Sequence, residues 1–238
     1  MKRVSVPDLR LAASTALIGV LALFSARPAL ADSLVMSNYQ YNPALTLSVA
    51  PPAYSGGVGG FSAVYTPTVG SPTSFVAFCV DLFQNFSFGS AFSVTPVLAQ
   101  GYYSAQQFTV LDRLYTQHYA PIKNGTSNST DSAAFQLAVW EIVRETGGVY
   151  SLSGGTFTAS ATPSTNASDL LAISNANTWL GNASLGGPSG GYTLTALTSS
   201  ARQDQMMATP VPEPETYAML LAGLGLMGFV IRRRSARA

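Results

Sequence analysis

The sequence predicts a mainly β fold, a sandwich or a barrel, with an inserted helical subdomain, which places it in the α+β class. Two observations predict this arrangement. Residues 33–98 contain short apolar runs separated by proline and glycine clusters, as in antiparallel sheets with frequent turns. Residues 104–183 keep a helical period instead, and residues 192–208 again have the pattern of one or two strands.

The first stretch contains four apolar runs that predict strands, at residues 45–49, 61–65, 75–83 and 91–97. Pro51-Pro52 and Gly56-Gly57 lie between the first two runs and predict turns. Short strands at such regular spacing favour a sandwich or a barrel.

The second stretch predicts three helices. The first is ended by Pro121 and Asn124-Gly125, because proline lacks the N–H that a helix interior needs and Asn-Gly favours a helix stop. The second is capped by a residue within 129–131 and runs to about Glu145. A weaker third helix covers residues 170–180. The helices therefore interrupt a chain that is otherwise β.

The composition excludes several classes of protein. Charged residues make up 10% of the chain, against about 25% in an ordinary soluble protein. The formal charge of +1 gives no basic field, so we predict no nucleic-acid partner. One cysteine and one histidine allow neither an intramolecular disulfide nor a cluster of cysteine or histidine ligands, so we predict no metal and no cofactor.

Residues 1–31 have the pattern of a secretory signal peptide. A basic start and an apolar run at 11–24 precede Ala29-Leu30-Ala31, the small-residue pattern that signal peptidase cleaves. An uncleaved membrane anchor would explain the apolar run but not the cleavage pattern. We therefore predict an exported protein whose mature chain begins at Asp32.

Residues 210–238 contain three features in a fixed order. Pro212-Glu213-Pro214 comes first, an apolar run at 217–231 follows, and the run ends in three basic residues, Arg232, Arg233 and Arg234. The run is shorter than the about 20 residues of a stable transmembrane helix. The arginines keep its end on the cytoplasmic side of the membrane.

This segment strongly resembles the PEP-CTERM sorting signal of Gram-negative bacteria. In that family an exosortase processes the protein near the Pro-Glu-Pro motif. The resemblance implies transient anchoring in the inner membrane through the apolar helix, then delivery to the cell envelope, the outer surface or the extracellular matrix. A plain tail anchor would explain the apolar run and the arginines but not the Pro-Glu-Pro motif.

One cysteine and one glutamine form the candidate chemical site. In the strand predicted around Cys79, alternation puts Cys79 and Asp81 on the same face. In the second helix, Gln136 and Trp140 are one turn apart and share a face. An uncharged amide therefore lies beside a bulky aromatic ring on a partly buried face.

The two segments resemble motifs of the thioester domain of bacterial surface adhesins. That family has an aromatic-Cys-aliphatic-acid motif, here FCVD, and an aliphatic-Gln-x-x-aliphatic-Trp motif, here FQLAVW with an aromatic first residue. The resemblance implies a thioester between Cys79 and Gln136, formed when the sulfur attacks the amide and ammonia leaves. It also implies that the thioester-like domain extends over residues 32–209.

Three further residues belong to the predicted surroundings of this bond. Trp140 is placed to pack over the bond and exclude water, which slows hydrolysis. The attacking species is a thiolate, so the site must remove the thiol proton. Asp81 and Tyr115 are the two candidates for that step, and the sequence does not choose between them.

Simpler explanations exist for the same residues. A free cysteine is often a small buried hydrophobic residue, and Gln136 would then face solvent. Cys79, His118 and Asn124 are the residue types of a cysteine protease, but His118 lies on the apolar stripe of its helix. Residues 187–191 match G-x-S-x-G, a hydrolase motif that needs a later histidine, and none follows.

The sequence thus predicts an exported protein of the cell surface or envelope that attaches covalently, through an internal thioester, to an external amine or hydroxyl. The bond is consumed in one reaction, so we predict no turnover enzyme. The main alternative is a structural matrix or biofilm protein without a thioester. A cysteine hydrolase is a third interpretation, with less support.

Overall fold

The computed structural model describes residues 31–212, 219–224 and 226–227. The first range contains ten strands, which are β1 (Ser33–Tyr39), β2 (Leu45–Ala50), β3 (Tyr54–Val58), β4 (Phe61–Thr66), β5 (Thr73–Cys79), β6 (Phe92–Ser93), β7 (Thr95–Leu98), β8 (Thr158–Ala161), β9 (Tyr192–Thr198) and β10 (Gln205–Pro210). It also contains four helices, which are α1 (Ala99–Tyr102), α2 (Ala105–Lys123), α3 (Ser129–Arg144) and α4 (Ala167–Leu185). These elements confirm the predicted α+β class.

Seven strands form one antiparallel sheet that curls until its edges approach each other. Their order is β6-β1-β4-β5-β10-β9-β7. The two edge strands, β6 and β7, follow each other in the chain with only Val94 between them. The Val94 N–H donates to the carbonyl oxygen of Asp32 at 2.8 Å, just before β1. The sheet is therefore a nearly closed barrel, one of the two architectures that the sequence predicts.

Helices α2 and α3 cover one face of β5. Phe78 on that face is fully buried. Its ring packs 4.5 Å from the Phe135 ring of α3, and 6.5 Å and 6.3 Å from the rings of Tyr115 and Tyr119 on α2, measured between centroids. Burying one such ring contributes about 2–3 kcal/mol. This aromatic cluster holds α3 against β5 and so fixes where the side chains of α3 meet the strand.

A second sheet has the strand order β3-β2-β8. Strand β3 contains Gly56-Gly57, which the sequence predicts as a turn. The hydroxyls of Tyr39 and Tyr54 both donate to the Gly57 carbonyl oxygen, at 3.0 Å and 2.9 Å. A Cβ at Gly57 would collide with the Tyr39 hydroxyl. Contacts from distant residues therefore make a strand where the local sequence predicts a turn.

Two other local predictions are wrong by a few residues. The run 75–83 is strand only as far as Cys79, because the next strand of the sheet pairs with β5 for no longer than that. Helix α3 is capped by Asn128 and not by a residue within 129–131, since the Asn128 side chain accepts the Asp131 N–H at 2.9 Å. An asparagine cap satisfies one of the free N–H groups of the first helical turn.

The predicted terminal segments lie mostly outside the described residues. The described chain begins at Ala31, after nearly all of the predicted signal peptide, and it omits Glu213, Pro214 and the closing arginines. Residues 219–224 and 226–227 are helical. Within the described part of the chain, no helix is both long enough and apolar enough to cross a membrane. The domain boundaries at 32–209 and 210–238 stay predictions.

Candidate functional site

The side chain of Gln136 lies against the main chain of Cys79. Gln136 Oε1 accepts the Cys79 N–H at 2.9 Å, and Gln136 Nε2 donates to the Cys79 carbonyl oxygen at 2.8 Å. Each of the two residues is only 1% exposed. The structure thus brings together the two residues that the sequence predicts as thioester partners.

The end of strand β4 leaves room for this contact. The Val80 N–H donates to the carbonyl oxygen of Asp204, before β10, at 3.0 Å. Successive residues of a strand direct their N–H and C=O groups to opposite sides, so those of Cys79 point towards β4. Strand β4 pairs with β5 from Phe61 onwards and stops short of Cys79. The Gln136 amide therefore takes the place of a further β4 residue.

Ser132, one turn before Gln136, binds the main chain just before β4. The Gly60 N–H donates to Ser132 Oγ at 2.9 Å. Position 60 has no room for a side chain, because a Cβ would lie 2.8 Å from atoms of Phe78 and Val76. Two side chains on one face of α3 thus complete the hydrogen bonds of two strand ends.

The thiol of Cys79 is buried and neutral at pH 7. Its Sγ donates to the carbonyl oxygen of Asp81 at 2.8 Å. Burial raises the pKa of Cys79 to about 12, while the nearby Trp140 side chain and the Asp81 main chain oppose the rise. The thiolate is the reactive form of cysteine. A proton acceptor must therefore act at the moment when this sulfur attacks a carbonyl.

Trp140 lies beside the sulfur, one turn after Gln136. The residue is 4% exposed, and its ring packs edge-on against the rings of Tyr54 and Phe157, with centroids 6.4 Å and 6.3 Å away. Its indole N–H meets no acceptor with hydrogen-bonding geometry among the described residues. These three rings shield one side of the site from water.

The two candidates for proton transfer have different surroundings. The Asp81 carboxylate accepts the Phe83 N–H at 2.8 Å, in the turn after β5. Tyr115 is fully buried, with its ring 4.9 Å from that of Phe135, and its hydroxyl has no hydrogen-bond partner in the described structure. No hydrogen bond within the described residues joins either side chain to the thiol. Their role in proton transfer stays a prediction.

Three tyrosines outside the two motifs lie near enough to Cys79 for its charge to affect their pKa values. Burial raises the pKa values of Tyr39, Tyr54 and Tyr103, and the nearby Cys79 raises each of them a little further. They come from β1, from β3 and from the two-residue link between α1 and α2. No pattern along the chain links these positions, because only the fold brings the three segments together.

Within the part of the chain that the structure describes, no hydrogen bond joins His118 or Asn124, the other two residue types of a cysteine protease, to the Cys79 thiol. His118 stacks on Trp179 instead, with ring centroids 4.3 Å apart and planes inclined by 13°, and burial lowers its pKa. Asn124 is the C-terminal cap of α2. Among the described residues, no group of three or more histidine, cysteine, aspartate or glutamate side chains could hold a metal ion.

The model of the PEP-CTERM protein-sorting motif matches residues 210–234. This match confirms the resemblance seen in the sequence of that segment. Pro212 is the one predicted motif residue that the structure describes, two residues after the end of β10. No curated protein matches the chain.

Among solved structures, the chain is similar to the N-terminal domain of the pilus tip adhesin Cpa of Streptococcus pyogenes. The two are 14% identical, the match covers 79% of this chain and 97% of that one, and the TM-score is 0.48. The N-terminal thioester domain of a surface protein from Clostridium perfringens is also similar, at 14% identity over 63% of this chain and 89% of that one, with a TM-score of 0.40. The chain thus carries a PEP-CTERM protein-sorting motif, which implies processing by an exosortase.

Proposed function

We propose that this surface protein forms an internal thioester between Cys79 and Gln136 and uses it to attach covalently to an external nucleophile. The observation that carries the proposal is the pair of hydrogen bonds between the Gln136 amide and the Cys79 main chain. Both amide atoms contact the residue that bears the sulfur. The carbonyl carbon between them is thereby held next to that residue.

The Cys79 N–H also supports the chemistry. It already donates to Gln136 Oε1, the oxygen that becomes negatively charged when the sulfur adds to the carbonyl carbon. A preorganised main-chain N–H aimed at such an oxygen lowers the barrier of acyl transfer. Because the site is buried, the hydrogen bond acts in a low dielectric, where it is stronger than in water.

The proposed bond forms in one balanced exchange. Cys79 Sγ bonds to Gln136 Cδ, the bond from Cδ to Nε2 breaks, and the thiol proton leaves with that nitrogen as ammonia. The Cys79 pKa of about 12 makes its thiolate a poor leaving group. The same burial that slows ionisation of the thiol therefore protects a finished thioester from hydrolysis.

The external partner in this proposal is an amine- or hydroxyl-bearing molecule of the cell surface or matrix. Its attack leaves Gln136 acylating the partner and returns the Cys79 thiol, so each domain reacts once. Signal peptidase and exosortase act before that step, as processing enzymes. We place the mature protein in the envelope, outer surface or extracellular matrix of a Gram-negative bacterium, after transient anchoring in the inner membrane.

Intact mass tests the thioester directly. The freshly folded wild type should be lighter than its sequence by one ammonia, and methylamine should add to it. The variants Cys79→Ser and Gln136→Glu keep hydrogen-bonding side chains of similar size, and neither should lose ammonia or react with methylamine. A wild type of full mass, with a thiol that titrates after unfolding, would refute the proposal.

A second function is supported by the fact that Gln136 and Cys79 already make their hydrogen bonds without a covalent bond. The two hydrogen bonds satisfy the end of β5 without any covalent bond, and the thiol already has an acceptor in Asp81. On this reading Gln136 is only a structural cap, and the chain is a matrix or biofilm protein. Full mass in the wild type and in both variants, with equal retention in the matrix fraction, is its expected result.

A further inference from the structure

Gln205 is a second buried glutamine beside Cys79. It is 0% exposed, and within the described residues neither its side-chain oxygen nor its side-chain nitrogen has a hydrogen-bond partner. Gln205 is the residue of β10 that lies opposite Cys79 in the register of β10 and β5. Directly opposed residues of an antiparallel pair place their side chains on the same face of the sheet.

Cys79 and Gln205 form the kind of cross-strand pair whose side chains lie closest together. Their neighbours Val80 and Asp204 are directly opposite each other and are joined by a main-chain hydrogen bond, so they form a hydrogen-bonded pair. Such pairs alternate with non-hydrogen-bonded ones, so Cys79 and Gln205 form a non-hydrogen-bonded pair, in which the Cα atoms are only about 4.5 Å apart. The Gln205 side chain therefore leaves the strand pair on the same face as the Cys79 sulfur.

A buried amide without partners is costly. Leaving one polar atom unsatisfied loses more stability than a made hydrogen bond contributes, and here both amide atoms are unsatisfied. In Gln136, by contrast, the amide oxygen and the amide nitrogen each have a hydrogen-bond partner. A leucine would fill the same space at lower cost, so an amide at this position calls for a partner that is not among the described residues.

We propose that the Gln205 amide binds the amine that leaves or enters the thioester centre, and that the centre therefore reacts with primary amines in preference to hydroxyls. This inference rests on the function proposed above. The Gln205 carbonyl oxygen accepts an N–H of the ammonia released from Gln136, and later an N–H of the attacking amine.

The preference for amines follows from their hydrogens. Thioester formation, run backwards, is attack by ammonia, so a group that holds the departing ammonia also holds an arriving amine. On attack, the nitrogen bonds to Gln136 Cδ, the bond from Cδ to sulfur breaks, and one amine proton passes to Cys79 as the thiol. A primary amine keeps a second N–H for Gln205 throughout. A hydroxyl has a single hydrogen, which it must give up.

The test compares Gln205→Leu with a matched control, Gln203→Leu. Gln203 is also buried, with a side-chain oxygen that has no partner in the described structure, but it lies before β10 and does not pair with Cys79. Mass spectrometry follows adduct formation with methylamine, and separately with methanol, an alcohol whose only O–H hydrogen is lost on attack. We expect Gln205→Leu to react with methylamine about 10- to 100-fold more slowly, the effect of one hydrogen bond to a developing charge, with methanol addition changed far less.

The outcomes separate the two proposals. If wild type has the full mass of its sequence, no thioester has formed, and the function proposed above is refuted. If wild type lacks one ammonia but Gln205→Leu reacts with methylamine as fast as Gln203→Leu, the thioester exists and the proposed role of Gln205 is wrong. If Gln205→Leu keeps its full mass while remaining folded, with an unchanged or raised melting temperature, release of ammonia needs the amide, as proposed. Should that variant not fold, Gln205→Met, which is longer and flexible, is measured in the same way.

Discussion

Side chains of helix α3 and of its C-terminal cap bind two parts of the chain, the strand ends through neutral groups and the loop after the helix through carboxylates. In the strand-end contact, Ser132 and Gln136 bind the main chain of Gly60 and Cys79 with neutral groups. In the loop clasp, the carboxylates of Glu141 and Glu145 bind N–H groups of the loop that follows the helix, those of Ser151, Gly147 and Thr156, at 2.7–2.8 Å.

The two contacts differ in whether every polar side-chain atom has a hydrogen-bond partner. Gln136 both accepts and donates, so the amide is complete. Glu141 is fully buried, and its second carboxylate oxygen has no partner among the described residues. Burial raises the pKa of Glu141 to about 7, whereas the N–H groups of Thr156 and Gly147 lower the pKa of the Glu145 carboxyl. The strand-end contact is thus insensitive to pH near neutrality, and the loop clasp is not.

Removing the amide from the strand-end contact should have the largest effect. Relative to methylamine-treated wild type, which has no thioester, Gln136→Ala leaves the buried N–H and C=O of Cys79 without partners, so we expect a loss of about 3–5 kcal/mol in the free energy of unfolding. Urea denaturation measures this loss. Gln136→Glu can make both contacts only when its carboxyl is protonated, so its loss of stability should be smaller at low pH than at pH 8. Equal stability of Gln136→Ala and treated wild type would mean that the amide does not complete the strand end.

Neutralising the loop clasp should change the dependence of stability on pH. The raised pKa means that folded Glu141 holds its proton more tightly than the unfolded chain does. Stability therefore falls as the pH rises from about 4.5 to about 7 and is constant above. Glu141→Gln should lack this fall and be about 2 kcal/mol more stable than the wild type at pH 8.

Denaturation at pH 5 and pH 8 checks this prediction. The matched control is Glu145→Gln, whose lowered pKa has the opposite sign, so it should lose stability at pH 8 relative to the wild type. Parallel pH profiles for wild type and Glu141→Gln would remove the contrast between the two contacts.

Ser132→Ala tests the smaller half of the strand-end contact. It leaves one buried N–H, that of Gly60, without a partner, and we expect a loss of about 1–2 kcal/mol. Hydrogen exchange of the Gly60 amide should quicken in this variant while the amides of the loop clasp stay protected. Unchanged exchange at Gly60 would show that the serine is not its partner in solution.

Cys79→Ala should have the smallest effect in a chain without the thioester. The substitution removes one buried sulfur and leaves a small void, so we expect the free energy of unfolding to fall by about 1 kcal/mol. The reference is wild type treated with methylamine, which has no cross-link. Untreated wild type with the thioester should be about 4 kcal/mol more stable than treated wild type, because the bond would close a loop across the 57 positions from Cys79 to Gln136.

Much of the fold is predictable from local pattern. Short apolar runs predicted β2, β4, β5 and the segment of β6 and β7, but not β1, and a helical period placed α2, α3 and α4, because side-chain periodicity reflects which face is buried. The two motifs identified Cys79 and Gln136 as neighbours. Asn128 at the start of α3 was missed since several adjacent polar residues suit that cap equally well. Strand β3 was missed since its glycines favour a turn locally, whereas pairing with β2 and the Tyr39 hydroxyl of β1 hold them in a strand.

The sequence by itself determined the class of the fold, the sorting motif at 210–234 and the identity of the cysteine and glutamine that meet. Only the tertiary structure decided that Gln136 replaces a missing strand residue and that the Gln205 side chain leaves β10 on the same face as the Cys79 sulfur. The physical reason is that a motif reports residues close together in the chain, whereas unsatisfied hydrogen-bonding groups are created where distant strands end. Which side chain fills them depends on how the helices pack against the sheet.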